Sequence, residues 1–237
     1  MTGREDGRIR HPAWVRATHW INAAAFVALA VSGTAILLAL PRLFWGETGA
    51  LDAPAWIALP LPVNLEQTGW GRNIHFLAAW IFVLNGLLYL AWSLATRHLS
   101  RRLLPDADQV RPAHIAGTVR EHLHLRGPGP TQTRYNVLQK LAYLAVVLVL
   151  SPLMLLTGLT MSPGVTTAIP ELFDLFGGRQ SARTLHFLCA SLLVAFLAVH
   201  VWQVLANGPA ALMRGMTIGR RAPAAELARR HEREAKR

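Results

Sequence analysis

The sequence predicts an all-α membrane protein, a bundle of four transmembrane helices, and two observations carry that expectation. First, four long stretches contain no Asp, Glu, Lys or Arg: between Arg16 and Arg42, Arg72 and Arg97, Lys140 and Glu171, and Arg183 and Arg214. Each is long enough to cross a hydrocarbon core of about 30 Å, which takes roughly 20 helical residues. Second, the cations alternate with these stretches in three blocks. Four lie from Arg4 to Arg16, eight from Arg97 to Lys140 and eight from Arg214 to Arg237, out of 24 Lys and Arg in all. The two remaining loops hold only Arg42 with Arg72, and Arg179 with Arg183. By the positive-inside rule the rich side is cytoplasmic, with both termini there. The net charge of +11 is therefore topological. A basic tail beside a membrane helix meets anionic lipid, and no nucleic-acid partner is expected.

Residues 1–13 form a polar cytoplasmic N-terminus. An apolar run without a small-residue cleavage pattern follows, so the first helix reads as an uncleaved signal anchor. The transmembrane domain covers 14–206, with helices at about 14–40, 72–96, 137–161 and 182–206. The first runs from Trp14 to Leu40, and Pro41, Trp45 and Gly46 mark its exit into the outer interface, where Trp is favoured. The loop from Pro41 to Trp70 carries Pro54, Pro60, Pro62 and Trp56, and is either a structured outer cap or a loose loop. The second helix spans Arg72 to Thr96. In the basic segment after it, Ile115, Val119 and Leu123 recur every four residues, which fits a short interfacial helix or a solvated linker. The third helix, Val137 to Met161, is interrupted by Pro152, which kinks a membrane helix. The fourth, Ala182 to Ala206, stops at Asn207, Gly208 and Pro209, and 207–237 is a basic cytoplasmic tail.

Four histidines fall inside these spans, where an unsatisfied polar nitrogen costs several kcal/mol, so each is a functional candidate. His19 lies near the inner end of the first helix and His75 near the outer start of the second. The fourth helix carries His186 near the outside and His200 near the inside. The interval between those two rises about 21 Å and returns to within roughly 40° of the same face. Both imidazoles thus point one way at two depths, as two stacked haems require. Depth then pairs His75 with His186 outside and His19 with His200 inside. Two ligands per level are too few for a typical zinc site, whereas haem iron already holds four nitrogens and needs only two more. Cys189 is the one cysteine, and no C-x-x-C-H motif is present, so the haems are non-covalent, b-type groups. The remaining histidines lie at helix ends or in cytoplasmic segments.

Glycine repeats the pattern. Gly33 returns to within about 40° of the face of His19, and Gly86 does the same for His75. Gly33 falls at outer depth and Gly86 at inner depth. Each would let the haem that its helix does not ligate approach bare backbone. The alternative is that both serve ordinary helix packing.

With these residues in view, the chain resembles the cytochrome b subunits of bacterial respiratory oxidoreductases. That group includes the formate dehydrogenase gamma subunit, the nickel–iron hydrogenase and thiosulfate reductase cytochromes b, and cytochrome b561-like proteins. The resemblance rests on Arg16-Ala17-Thr18-His19-Trp20, on His75, on Arg134-Tyr135-Asn136-Val137-Leu138-Gln139-Lys140, and on the interval from His186 to His200. It implies an electron-transfer subunit in the bacterial inner membrane, with two haems passing electrons between quinone and a periplasmic redox subunit. No catalytic residue is assigned to this chain. The resemblance also implies that Asn136 helps bind quinone, although Asn136 is equally suited to capping the third helix; Gln139 and Lys140 are weaker candidates for a supporting role. The segment from Gly177 to His186 looks most like members that accompany a molybdopterin oxidoreductase. Arg179 and Arg183 are placed to contact haem propionates or that partner. Two other functions remain open from sequence: a stand-alone transmembrane b-type oxidoreductase, and a transporter whose histidines relay protons.

Overall fold

The computed structural model describes residues 12–49, 53–96, 111, 137–206 and 208–219. Asn136 and the segment around Ile115, Val119 and Leu123 lie outside these described residues. Four helices are long and apolar enough to span a membrane: α1 (Ala13–Ala39), α2 (Thr68–Ala95), α3 (Val137–Thr160) and, after two short helices, α6 (Arg179–Ala206). At 24 to 28 residues they rise about 36–42 Å, more than the hydrocarbon core, so they tilt or protrude at both faces.

Helix α1 ends where Pro41 forbids its predecessor a helical conformation, and Leu40 turns out with φ −148° and ψ 84°. The chain beyond it is a structured cap. Strand β1 (Arg42–Leu43) pairs antiparallel with β2 (Ile57–Ala58), Arg42 opposite Ala58 and Leu43 opposite Ile57. The pairing is extended by Leu59 N–H bonding to the Pro41 carbonyl at 2.9 Å. Trp45 and Trp56 meet edge to face across it, with centroids 5.0 Å apart. A short 3-10 turn, Leu65–Gln67, then leads into α2, which begins a turn earlier than the position of Arg72 suggests.

Pro152 alters α3 without breaking it. The proline has no N–H and its ring crowds the preceding turn. The helix widens into a π segment over Val146–Leu150, just before Ser151 and Pro152. Both the Ser151 N–H and its hydroxyl donate to the Val146 carbonyl, the hydroxyl at 2.8 Å. Both protons of Ser151 are thereby bonded inside the span, as a lipid environment demands.

Two short helices, α4 (Pro163–Ala168) and α5 (Glu171–Phe176), carry the chain across the outer face to α6. Gly177 closes α5 in the left-handed conformation at φ +66°. Gly178, at φ +110°, packs so tightly on Gly46 that a Cβ there would lie 2.5 Å from the Gly46 carbonyl carbon. The approach lets the Gly46 carbonyl accept from the N–H groups of Gln180 and Ser181, donors left open at the start of α6. At the other face, α7 (Pro209–Thr217) folds back beneath α1. The Arg16 guanidinium donates to the Thr217 carbonyl at 2.9 Å and the Trp20 indole to the Met216 carbonyl at 3.0 Å.

The interior is made of small and hydroxylic residues. Ala25, Ser32, Ala35, Ala78, Ser93, Thr157, Thr160, Ser181, Ala182 and Thr184 are buried, while Val31, Leu77, Trp80, Leu84, Leu148, Leu192 and Trp202 face outward. This is the membrane arrangement, in which small side chains bring backbones together and large apolar ones meet lipid. The closest helix pairings are α1 with α2 and α3 with α6. The bundle is thus two helical hairpins, and the four histidines project between them.

Candidate functional site: two facing histidine pairs

At the outer level His75 of α2 faces His186 of α6, with ring centroids 6.3 Å apart and planes at 59°. At the inner level His19 of α1 faces His200 of α6, with centroids 6.4 Å apart and planes at 52°. The two levels share α6 and draw their second ring from different helices of the opposite hairpin. Among the described residues no cluster of three or more His, Cys, Asp or Glu could hold a metal ion.

The separations carry chemical information. Two imidazoles on opposite sides of one metal ion, each bonded at about 2 Å with roughly 1.1 Å more from nitrogen to ring centre, put their centroids about 6.3 Å apart. Both pairs have that spacing. It is too long for a direct hydrogen bond between rings and would let each pair hold one haem iron between its two imidazoles.

The outer rings are backed in the same way on both hairpins. Ser32 of α1 places its Oγ 3.0 Å from Nδ1 of His75, and Thr157 of α3 places its Oγ1 3.0 Å from Nδ1 of His186. In each case a glycine follows the hydroxyl residue. A Cβ at Gly33 would lie 3.3 Å from Cε1 of His75, and one at Gly158 would lie 3.5 Å from Cε1 of His186. The nearest group to Gly33 is therefore the His75 imidazole. Ser32, Thr157 and Gly158 are site residues that the sequence marks only by a hydroxyl residue followed by glycine in two apolar spans.

The inner level is built differently. The Nδ1 of His19 is buried and meets no hydrogen-bond partner among the described residues. Trp20 packs edge-on against the His19 ring at 5.2 Å, and Phe196 stacks on His200 at 6.1 Å. Asn85, beside Gly86, donates to the Thr18 carbonyl and to Oδ1 of Asn22, each at 2.8 Å, tying α2 to α1 at His19. A Cβ added at Gly86 would meet no protein atom within 4 Å.

Against the inner pair lies a cavity of about 270 Å³ between α3 and α6, open on one side and lined by Leu138, Gln139, Tyr143, Phe196, His200 and Gln203 among others. The Gln139 amide donates to Oε1 of Gln203 at 3.1 Å. The cavity is mostly apolar with this polar pair at its wall, the usual make-up of a small-molecule site.

At the outer face Arg183 donates to the Arg42 carbonyl at 2.7 Å and to the Leu40 carbonyl, and the Thr184 hydroxyl donates to the Phe44 carbonyl at 2.7 Å. Arg183 thus clamps the cap to α6 one turn above His186, and its remaining guanidinium N–H groups are available to an anion. Arg179 lies over the Phe173 ring at 5.5 Å.

A four-span helical bundle with paired histidines at two levels is the architecture of a membrane cytochrome. The chain belongs to the prokaryotic cytochrome b561 family, whose model matches residues 10–219. A relative from Azospira oryzae that carries the name of a protein-methionine-sulfoxide reductase subunit, YedZ1, is 30% identical over 197 residues, covering 82% of this chain and 89% of the relative. A Cupriavidus necator protein that carries the name of a Ni/Fe-hydrogenase B-type cytochrome subunit is 27% identical over 220 residues, covering 85% of this chain and 84% of its own length. Membership makes haem of the b type the group to which this chain's residues must be fitted. The ring separations and the open space beside Gly86 suit it, whereas Gly33 packs against the His75 imidazole.

Proposed function

We propose that the chain is a di-haem electron-transfer subunit of the bacterial inner membrane, joining the quinone pool to a periplasmic redox protein. The observation that carries this reading is the pair of nearly equal ring separations, 6.3 Å and 6.4 Å, at two depths along α6. His75 and His186 hold the outer haem, and His19 and His200 the inner one. When bound, haem supplies reversible one-electron exchange at iron. The protein's share is to fix the four imidazoles, exclude bulk water and set the distance between levels, about 21 Å along α6 from the helix rise.

The cavity beside His200 is the quinone site. Its volume of about 270 Å³ suits a quinone ring, and its open side leaves the isoprenoid tail in lipid. Gln139 and Gln203 offer amide donors to a quinone carbonyl. A ring seated there would lie against His200, one of the two histidines that would hold the inner haem. Asn136, one residue before α3, sits next to this site in sequence and completes the set of polar candidates. With the cation-rich side cytoplasmic, quinone exchanges protons with the cytoplasm.

The outer cap receives the partner. The hairpin of β1 and β2 lies against the start of α6, and Arg183 links the two above His186. A molybdopterin enzyme is the partner class favoured by the segment from Gly177 to His186. The names of the two relatives, one a reductase subunit and one a hydrogenase cytochrome, support a membrane subunit serving a separate enzyme.

The test is reduction of the purified chain by a water-soluble quinol. The reading predicts a b-type alpha band that grows with quinol. A haem-loaded protein that dithionite reduces and no quinol does would remove the quinone link.

A further inference from the structure

We propose that Ser32 and Thr157 are positioning residues for the outer haem: each accepts the Nδ1 proton of an outer histidine, fixing the tautomer that presents Nε2 and strengthening it as an iron ligand. The inference rests on the di-haem reading above and assigns a role to residues outside the ligand set.

The direction of these bonds follows from proton counting. A hydroxyl has one proton and two lone pairs. The Ser32 Oγ lies 2.6 Å from the Ala28 carbonyl, and the Thr157 Oγ1 lies 2.7 Å from the Leu153 carbonyl. A carbonyl cannot donate, so in both residues the hydroxyl proton is committed to its own helix. What each oxygen offers the imidazole, 3.0 Å away, is a lone pair. Nδ1 must therefore carry the ring proton, and Nε2 is left with the free pair that a metal requires.

The two relays arise independently. One runs from α1 to His75 within the first hairpin and the other from α3 to His186 within the second. Both use a hydroxyl followed by glycine, with the missing Cβ at Gly33 or Gly158 leaving room for the ring that the hydroxyl holds. A hydrogen bond accepted from Nδ1–H makes Nε2 more electron-rich, and a more basic axial ligand favours ferric over ferrous iron. A hydroxyl already donating to a carbonyl is the more polarised acceptor. The buried Nδ1 of His19 meets no such partner among the described residues, so the inner level lacks this device on its α1 side.

The experiment is a redox titration of the membrane-extracted, haem-loaded chain, following both haem components through the alpha band. Ser32→Ala and Thr157→Val each remove one acceptor, and Ser32→Thr and Thr157→Ser restore it. Removal should raise the midpoint potential of one component, the same in both variants, with the other unmoved; the restoring variants should return it towards the parent. Unchanged potentials in Ser32→Ala and Thr157→Val, or equal shifts of both components, overturn the proposal while leaving the di-haem reading intact. If removal strips the outer haem, retention in the restoring variants supports the role, and equal loss in them overturns it. A parent chain that binds no haem fails the functional reading itself, which separates the two.

Discussion

The Gln139 amide on α3 donates to Oε1 of Gln203 on α6 at 3.1 Å, joining the two helices one turn from His200 at the wall of the inner cavity. On the proposed reading, a quinone carbonyl that gains charge needs hydrogen-bond donors, and these amides are two polar groups at the cavity wall that can supply them. Replacing either with Leu removes one such bond, worth about 1–1.5 kcal/mol. Quinol-driven reduction should therefore slow by roughly tenfold. Stopped-flow absorbance checks the rate, and the haem content and dithionite-reduced spectrum should match the parent.

Gly86 and Gly33 separate two meanings of a small residue. At Gly86 an added side chain meets no protein atom within 4 Å of its Cβ, so Gly86→Leu should leave the haem-free fold at parental stability and still displace the inner haem. At Gly33 the Cβ would press on the His75 ring at 3.3 Å. Gly33→Val should lower stability by about 1–3 kcal/mol, the range for overpacking, and disturb the outer haem. Thermal unfolding beside haem content distinguishes the two, and full retention of the inner haem in Gly86→Leu would remove that glycine from the site.

Arg183 holds the outer cap through the carbonyls of Leu40 and Arg42. Bonds from a charged donor contribute about 1.5–3 kcal/mol each when well shielded, and the partial exposure here lowers that. Arg183→Ala should cost about 1–3 kcal/mol and open the segment from Arg42 to Ala58 to proteolysis, with Arg183→Lys in between. A shift in the outer haem potential in the same variant would add a propionate contact to the clamp; an unchanged potential would leave the clamp alone.

The four spans were legible in the sequence because lipid enforces a simple code: no charge inside, cations on one face, aromatics at the borders. That His186 and His200 share a face followed from helical periodicity, and the facing of His75 with His186 and of His19 with His200 followed from their depth in the spans. Other features depend on what approaches from elsewhere in the fold. That Ser32 backs His75 and Thr157 backs His186 is a tertiary relation with no local periodicity. Pro152 announced an irregularity but not its form, a π segment over Val146–Leu150 closed by Ser151 on the Val146 carbonyl. The two-residue strands of the cap are too short to show an alternating pattern, and their pairing is fixed by the anchoring of Gly46, Phe44 and Arg42 on α6.

Haem stoichiometry with single-histidine variants tests the central assignment most directly. Purified parent should contain two b-type haems per chain. His75→Ala and His186→Ala should each retain one, with the same potential in both, and His19→Ala and His200→Ala should each retain the other. A parent with fewer than two haems, or equal loss of both components in every variant, would contradict the pairing of these four histidines across the two hairpins.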